Sequence, residues 1–307
     1  MQLLYWFEKI RVPVLNELML AVTVLGEETA FLVLALIVFW CVDKKRGYYL
    51  MSVGFVGTMC NQALKLCFRI PRPWVRDPGF TILEQARAGA TGYSFPSGHT
   101  QSAVGTFGSI AASSERRWVK GICVALAVLV GISRMYVGVH TPWDVLVSAC
   151  VATILIFGLK NPVFKREKGM KYLLAGMLAA AIALLLFTEL YPFPADVDEA
   201  NLLSGVKNAY TMLGCIAGVA VVYVTEKRYV RFSEKAVWWA QILKVALGLG
   251  VVLPVKEGLR SPLDALFDGH LAARAVRYFL VVLTAGLLWP MTFRWFAGLG
   301  NHQKKAG

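Results

Sequence analysis

Residues 170–190 read MKYLLAGMLAAAIALLLFTEL, and their only charges, Lys171 and Glu189, stand at the two ends. A helix of that length covers about 30 Å at about 1.5 Å per residue, the thickness of a bilayer's hydrocarbon core. Working outward, comparable apolar stretches lie near Leu18–Val42, Gly47–Phe68, His99–Ser114, Trp118–Gly138, Pro142–Lys160, Leu203–Thr225, Ala236–Val255 and Ala272–Phe296. The expected fold is an all-α polytopic membrane bundle of about nine transmembrane helices. Composition agrees: 57% of the 307 residues are hydrophobic and 17% charged, with mean hydropathy +0.57. A soluble protein carries roughly 45–50% apolar and about 25% charged residues, so a single soluble core is excluded.

The net charge of +13 does not point to nucleic acid, because the cations sit in short clusters between apolar runs, such as Lys44-Lys45-Arg46, Arg116-Arg117 and Lys165-Arg166. Such clusters suit loops held against an anionic membrane face. Segments after the odd-numbered spans carry 18 Lys and Arg, and those on the other side carry 13. The positive-inside rule then expects a cytoplasmic carboxyl terminus in a bacterial plasma membrane, with the opposite loops outside. Residues 1–17 mix Leu4, Trp6 and Phe7 with Glu8, Lys9 and Arg11 and read as an interfacial amphipathic segment. The six cysteines lie in or beside apolar segments without metal-ligand spacing and read as packing residues.

Three clusters break the apolar pattern, and ionisable groups at span ends invite a functional reading. Lys65 and Arg72, joined by a segment stiffened by Pro71 and Pro73, can clamp a phosphate; plain snorkelling of interfacial cations is the alternative. In Ser94-Phe95-Pro96-Ser97-Gly98-His99-Thr100, Ser97 is placed to cap a helix, Gly98 lets backbone N–H groups approach an anion, and His99 can donate a proton. An ordinary capped helix fits equally well. In Ser133-Arg134-x5-His140-x3-Asp144, Thr141-Pro142 starts a helix that puts Asp144 one turn from His140, where a carboxylate can orient an imidazole. Asp144 can instead simply close a capping box with Thr141. Lys65 and Arg134 end even-numbered spans while His99 and Asp144 begin odd-numbered ones, so all four are expected on one membrane face. That convergence fits phosphoryl transfer through a phosphohistidine.

These three elements resemble the three-part signature of the type 2 phosphatidic acid phosphatase superfamily, over the stretch from Lys65 to Asp144. The resemblance implies that His140 attacks phosphorus, Asp144 orients it and His99 protonates the leaving oxygen. It further implies that Lys65, Arg72, Ser97, Gly98 and Arg134 hold the phosphoryl oxygens, with no metal and no cofactor. The implied organisation is a five-span catalytic core at 18–160 and a four-span extension at 161–307. The expected partners are a lipid phosphate or pyrophosphate substrate and membrane lipids, without nucleic acid. Sugar-phosphate hydrolysis or phosphotransfer at the same site is the enzymatic alternative, and a transporter or lipid-binding scaffold the non-enzymatic one. Trp74, Phe80, Ile82, Leu83, Tyr93 and Phe95 in the intervening loop suit a membrane interface, and Arg69, Arg76 and Arg87 suit a second phosphate. A sugar would need a cluster of Asn, Gln and Asp, of which that loop offers Gln85 and Asp77. Lys256, Arg260, Asp264, Asp268 and His270 are expected on the catalytic face as interfacial charge.

Overall fold

A computed structural model describes residues 1–166 and 168–299, so residues 300–307 of the expected basic carboxyl-terminal segment, and Glu167, lie outside the described residues. Every regular element among the described residues is helical. The short α1 (Gln2–Lys9) precedes α2 (Pro13–Val24) and α3 (Glu28–Ile37), the latter continuing through a π-turn to Val42. Then come α4 (Lys44–Phe68), the single turn α5 (Pro73–Arg76), α6 (Gly98–Ser113), α7 (Arg117–Tyr136) and α8 (Pro142–Phe164). The remainder is α9 (Gly169–Leu190), α10 (Glu199–Thr225), α11 (Trp238–Gly258), α12 (Arg260–Leu266), α13 (Ala272–Leu283) and α14 (Phe293–Gly298).

Among the described residues, six helical stretches are long and apolar enough to cross a membrane, or seven if α2 and α3, bent by 53°, count as one. The expectation of nine also counted α4 and α6. Polar site residues interrupt both, Asn61 and Lys65 on α4 and His99 and Gln101 on α6, and α6 has only 16 residues, so length and hydropathy do not confirm the count. The expected first span, Leu18–Val42, is broken at residues 25–27. Gly26 sits in that break, and a Cβ there would lie 2.8 Å from Val130 Cγ1 and 2.9 Å from the His99 carbonyl oxygen. The break therefore brings backbone against the start of α6 where a continuous helix would carry a side chain.

Local signals set the helix ends that matter. Asp43 caps α4 by accepting from Arg46 N at 2.8 Å, and α4 stops at Arg69 in the left-handed region (φ 48°). Ser97 caps α6, and Thr141 with Pro142 starts α8. The main core joins α3, α4 and α8 to the later helices, with Trp40 buried and its Nε1 donating to the Ala285 carbonyl at 2.9 Å. α10 and α13 meet through small residues: a Cβ on Gly214 would be 2.1 Å from the Ala275 carbonyl oxygen. Such close backbone approach drives helix association where lipid removes the hydrophobic term.

α1 packs inward. Leu4 and Phe7 are buried, Tyr5 Oη donates to Asp77 Oδ2 at 2.8 Å, Thr81 N donates to Glu8 Oε1 at 3.0 Å, and Arg11 reaches the Tyr136 carbonyl. Leu3 and Trp6 remain exposed. The loop between α4 and α6 uses its aromatic residues the same way. Phe80, Ile82 and Tyr93 are buried, Phe80 and Ile82 packing with Leu4. For these three the expected interfacial placement is corrected: apolar side chains of a loop satisfy a small core as readily as a membrane surface.

Candidate active site

A cavity of about 840 Å³ opens between the ends of α4, α6 and α10 and the break between α2 and α3. Lys65, Arg72, Gly98, His99 and His140 line it. Ser97, Arg134 and Asp144 are buried close behind, at 0%, 1% and 1% exposure. The structure thus gathers the eight residues singled out in the sequence, five on the wall and three supporting it.

Asp144 ties the second and third clusters together. Its Oδ2 accepts from Ser94 Oγ at 2.6 Å and from Thr141 N at 2.8 Å, and lies 3.4 Å from His140 Nδ1. Thr141 Oγ1 accepts in return from Asp144 N at 3.4 Å. Capping box and imidazole orientation, two alternatives in the sequence, share one oxygen. The Asp144 carbonyl accepts from Ser97 N at 3.1 Å, and Ser148 Oγ donates to the Ser97 carbonyl at 2.8 Å. The start of α6 is therefore pinned to the start of α8.

Arg72 ties in the first cluster. Its guanidinium donates to the carbonyls of Thr91 (2.7 Å), Gly92 (3.1 Å) and Val139 (3.1 Å), and Nη1 lies 2.9 Å from His140 Nε2. An Arg can only donate, so Nε2 carries the lone pair and Nδ1 carries the proton toward Asp144. Burial and the cations Arg72, Arg134 and Lys65 push the His140 pKa well below the usual imidazole value. Burial lowers the Arg72 pKa to about 10, with Asp144 opposing, which still leaves it charged at neutral pH. Lys65 Nζ donates to the Tyr93 carbonyl, and Arg134 Nη1 donates to Thr23 Oγ1 at 2.6 Å while its Nε and Nη2 have no partner. An added Cβ on Gly98 would meet no atom nearer than Asn61 Oδ1, at 3.8 Å. What glycine keeps clear there is space in the cavity itself.

Sequence reasoning missed the other wall residues. Asn61 and Gln101 are 3% and 4% exposed and line the cavity; neither amide atom of Asn61 nor the Gln101 Nε2 has a partner. The signal was present in the spacing: Asn61 is one turn before Lys65 on α4, and Gln101 follows Ser97 by one turn on α6. Lys207, Asn208 and Arg274 enter from α10 and α13, which no local spacing could reveal. Arg69, Arg76 and Arg87 are not among the lining residues described, and Arg87 pairs with Glu84 at 2.6 Å. Lys256, Arg260, Asp264, Asp268 and His270 are likewise absent from the described lining; Lys256 pairs with Glu257 at 3.2 Å.

Residues 45–168 match the PAP2 superfamily, and residues 210–302 match the PAP2 superfamily phosphatase transmembrane extension. The chain is 32% identical over 167 residues to phosphatidylglycerophosphatase B of Bacillus subtilis, covering 50% of this chain and 77% of that protein. It belongs to the PAP2 superfamily. Two further relatives are the undecaprenyl-diphosphatase BcrC of Bacillus subtilis (35% identity, 38% of this chain, 56% of that protein) and an undecaprenyl-diphosphatase of Sulfolobus acidocaldarius (31%, 44% and 65%). The match thus spans less than two thirds of the length of these two. No solved structure matches the chain. The PAP2 match contains all eight residues of the signature, and Arg274 brings the extension to the same cavity.

Proposed function

We propose that this protein is an integral membrane phosphatase that hydrolyses a lipid phosphate or polyprenyl pyrophosphate ester through a phosphohistidine. The observation that carries this reading is His140 in the cavity wall, with Nε2 beside Arg72 and Nδ1 toward Asp144. In the proposed reaction Arg72 Nη1 transfers its hydrogen bond from His140 Nε2 to a phosphoryl oxygen, and the freed Nε2 lone pair forms the N–P bond while the P–O bond to the leaving group breaks. His99 gives its proton to the departing oxygen. A water molecule then attacks phosphorus, His99 takes back a proton, and the N–P bond breaks to release phosphate. Lys65, Arg72, Arg134 and the N–H groups at the start of α6 stabilise charge on the equatorial oxygens. The relatives named as phosphatases of phosphatidylglycerophosphate and undecaprenyl diphosphate support a lipid substrate.

Asn61, Gln101 and their neighbours Gln62, Thr58 and Ser102 supply the hydroxyl partners that the loop lacks. They favour, among lipid phosphates, one whose headgroup carries hydroxyl groups, because a buried amide left unpaired costs about 1–3 kcal/mol. The charge count supports a cavity on the outer face. Phosphate release from purified protein in detergent, with EDTA present, tests the function across phosphatidic acid, phosphatidylglycerophosphate, undecaprenyl pyrophosphate and glucose 6-phosphate. Release from the lipids is expected; a higher kcat/KM for glucose 6-phosphate than for every lipid would overturn the assignment.

A further inference from the structure

A second cavity, of about 770 Å³, lies at the other end of α4. Lys44 and Lys65 stand at opposite ends of that helix, about 32 Å apart at about 1.5 Å per residue, one bilayer core away from the catalytic cavity. Three strands of chain wall it: the start of α4, the junction of α8 with α9, and the end of α10 with the segment that follows. They contribute the cations Lys44, Lys45, Lys165, Arg166, Lys227 and Arg231 against the acids Asp43, Glu226 and Glu234.

The acids are already engaged. Glu226, 3% exposed, accepts from Lys44 Nζ at 2.7 Å; Asp43 caps α4; Glu234 Oε1 accepts from Lys44 N at 3.3 Å. Among the described residues, Lys44 is the only one of the six cations in an ion pair. An independent observation comes from Tyr48, which lines the cavity, is 4% exposed, and has a buried hydroxyl without a partner. Beside these groups the wall is apolar, with Val163, Phe164 and Met170.

We propose that this cavity binds the phosphate of an anionic phospholipid from the leaflet opposite the catalytic cavity. Lysines and an arginine meet the phosphate, the Tyr48 hydroxyl donates to it, and Val163, Phe164 and Met170 take the first carbons of the acyl chains. A free phosphate ion would satisfy the cations and leave that apolar wall against water; a lipid satisfies both. Basic pockets between membrane helices take anionic headgroups by this combination. The site bridges the two matched segments, since Lys45, Lys165 and Arg166 belong to the first and Tyr223 to Glu234 to the second. Its ligand would staple the catalytic unit to its extension. Nothing in this proposal depends on which ester the catalytic cavity hydrolyses.

The test is thermal unfolding of the full chain in a neutral detergent with added dioleoylphosphatidylglycerol, dioleoylphosphatidylcholine or sodium phosphate. Phosphatidylglycerol is expected to raise Tm by about 4 °C at saturating concentration, with no rise from the other two. The variant Lys45→Gln/Lys165→Gln/Arg166→Gln changes only exposed side chains, so it should fold, retain hydrolysis of a soluble aryl phosphate, and lose the rise. Tyr48→Phe should reduce the rise without abolishing it. The proposal is overturned if phosphatidylglycerol gives the wild type no rise, if the triple variant keeps it, which would place the lipid in the catalytic cavity, or if sodium phosphate reproduces it.

Discussion

The Nη1 of Arg72 and the Nε2 of His140 are 2.9 Å apart, and this one contact fixes the tautomer of the imidazole. With burial and the neighbouring cations holding its pKa well below the usual imidazole value, His140 should keep its Nε2 lone pair at acid pH where a free imidazole is already protonated. The sign follows from the direction of the shift: a lowered pKa moves loss of the lone pair to more acid pH. Nitrogen-15 NMR of histidine-labelled protein reads this directly. A His140 ring that protonates above pH 6.5 would contradict the geometry.

The two histidines should separate by leaving group. His140→Ala is expected to abolish turnover on every substrate, because only binding is left. His99→Ala should lower kcat by roughly 100-fold or more for an alkyl phosphate and far less for an activated aryl phosphate, which leaves without a proton. Equal losses on the two substrates would remove His99 from the role of acid.

Headgroup choice should depend on Asn61 and Gln101. Asn61→Leu or Gln101→Leu is expected to cut kcat/KM for phosphatidylglycerophosphate by about 10-fold, since one hydrogen bond to a buried partner is worth about 1–2 kcal/mol. Phosphatidic acid, which offers no headgroup hydroxyl, should change little. Parallel losses on both lipids would mean that the amides support the fold and do not read the headgroup.

Orientation is open to direct labelling. Glu84, which opens a single 3-10 turn, and Lys168, just before α9, are both exposed, and the charge count puts them on opposite sides. A cysteine at Glu84 should react with an impermeant thiol reagent in intact cells or spheroplasts, and one at Lys168 should not. The reverse pattern would put the catalytic cavity in the cytoplasm.

What could be read from the sequence was what neighbours in the chain decide. Ser97 as a cap, Thr141-Pro142 as a helix start and Asp144 one turn from His140 are all local geometry, and all are present. The all-helical bundle followed from hydropathy. Asn61 and Gln101 went unnoticed because an amide on a membrane helix looks like an interruption until the opposing helix is known. Phe80 and Ile82 were misplaced because a buried side chain and an interfacial one have the same sequence signature, and only the partner Leu4, 76 positions away from Phe80, decides between them. The break at Gly26 was hidden by the apolar residues on both sides of it.

The inward packing of α1 has a consequence for how material moves through this molecule. Tyr5, Glu8 and Arg11 hold the α4–α6 loop at Asp77 and Thr81, while Arg72 holds the far end of the same loop at Thr91 and Gly92. A segment latched at both ends is a fixed roof, so traffic must pass through a wall. The rim that remains is formed by residues 26–31 and 200–208, at a bent helix pair and a helix start. A long-chain ester can then slide its headgroup in sideways with its tails still in the bilayer.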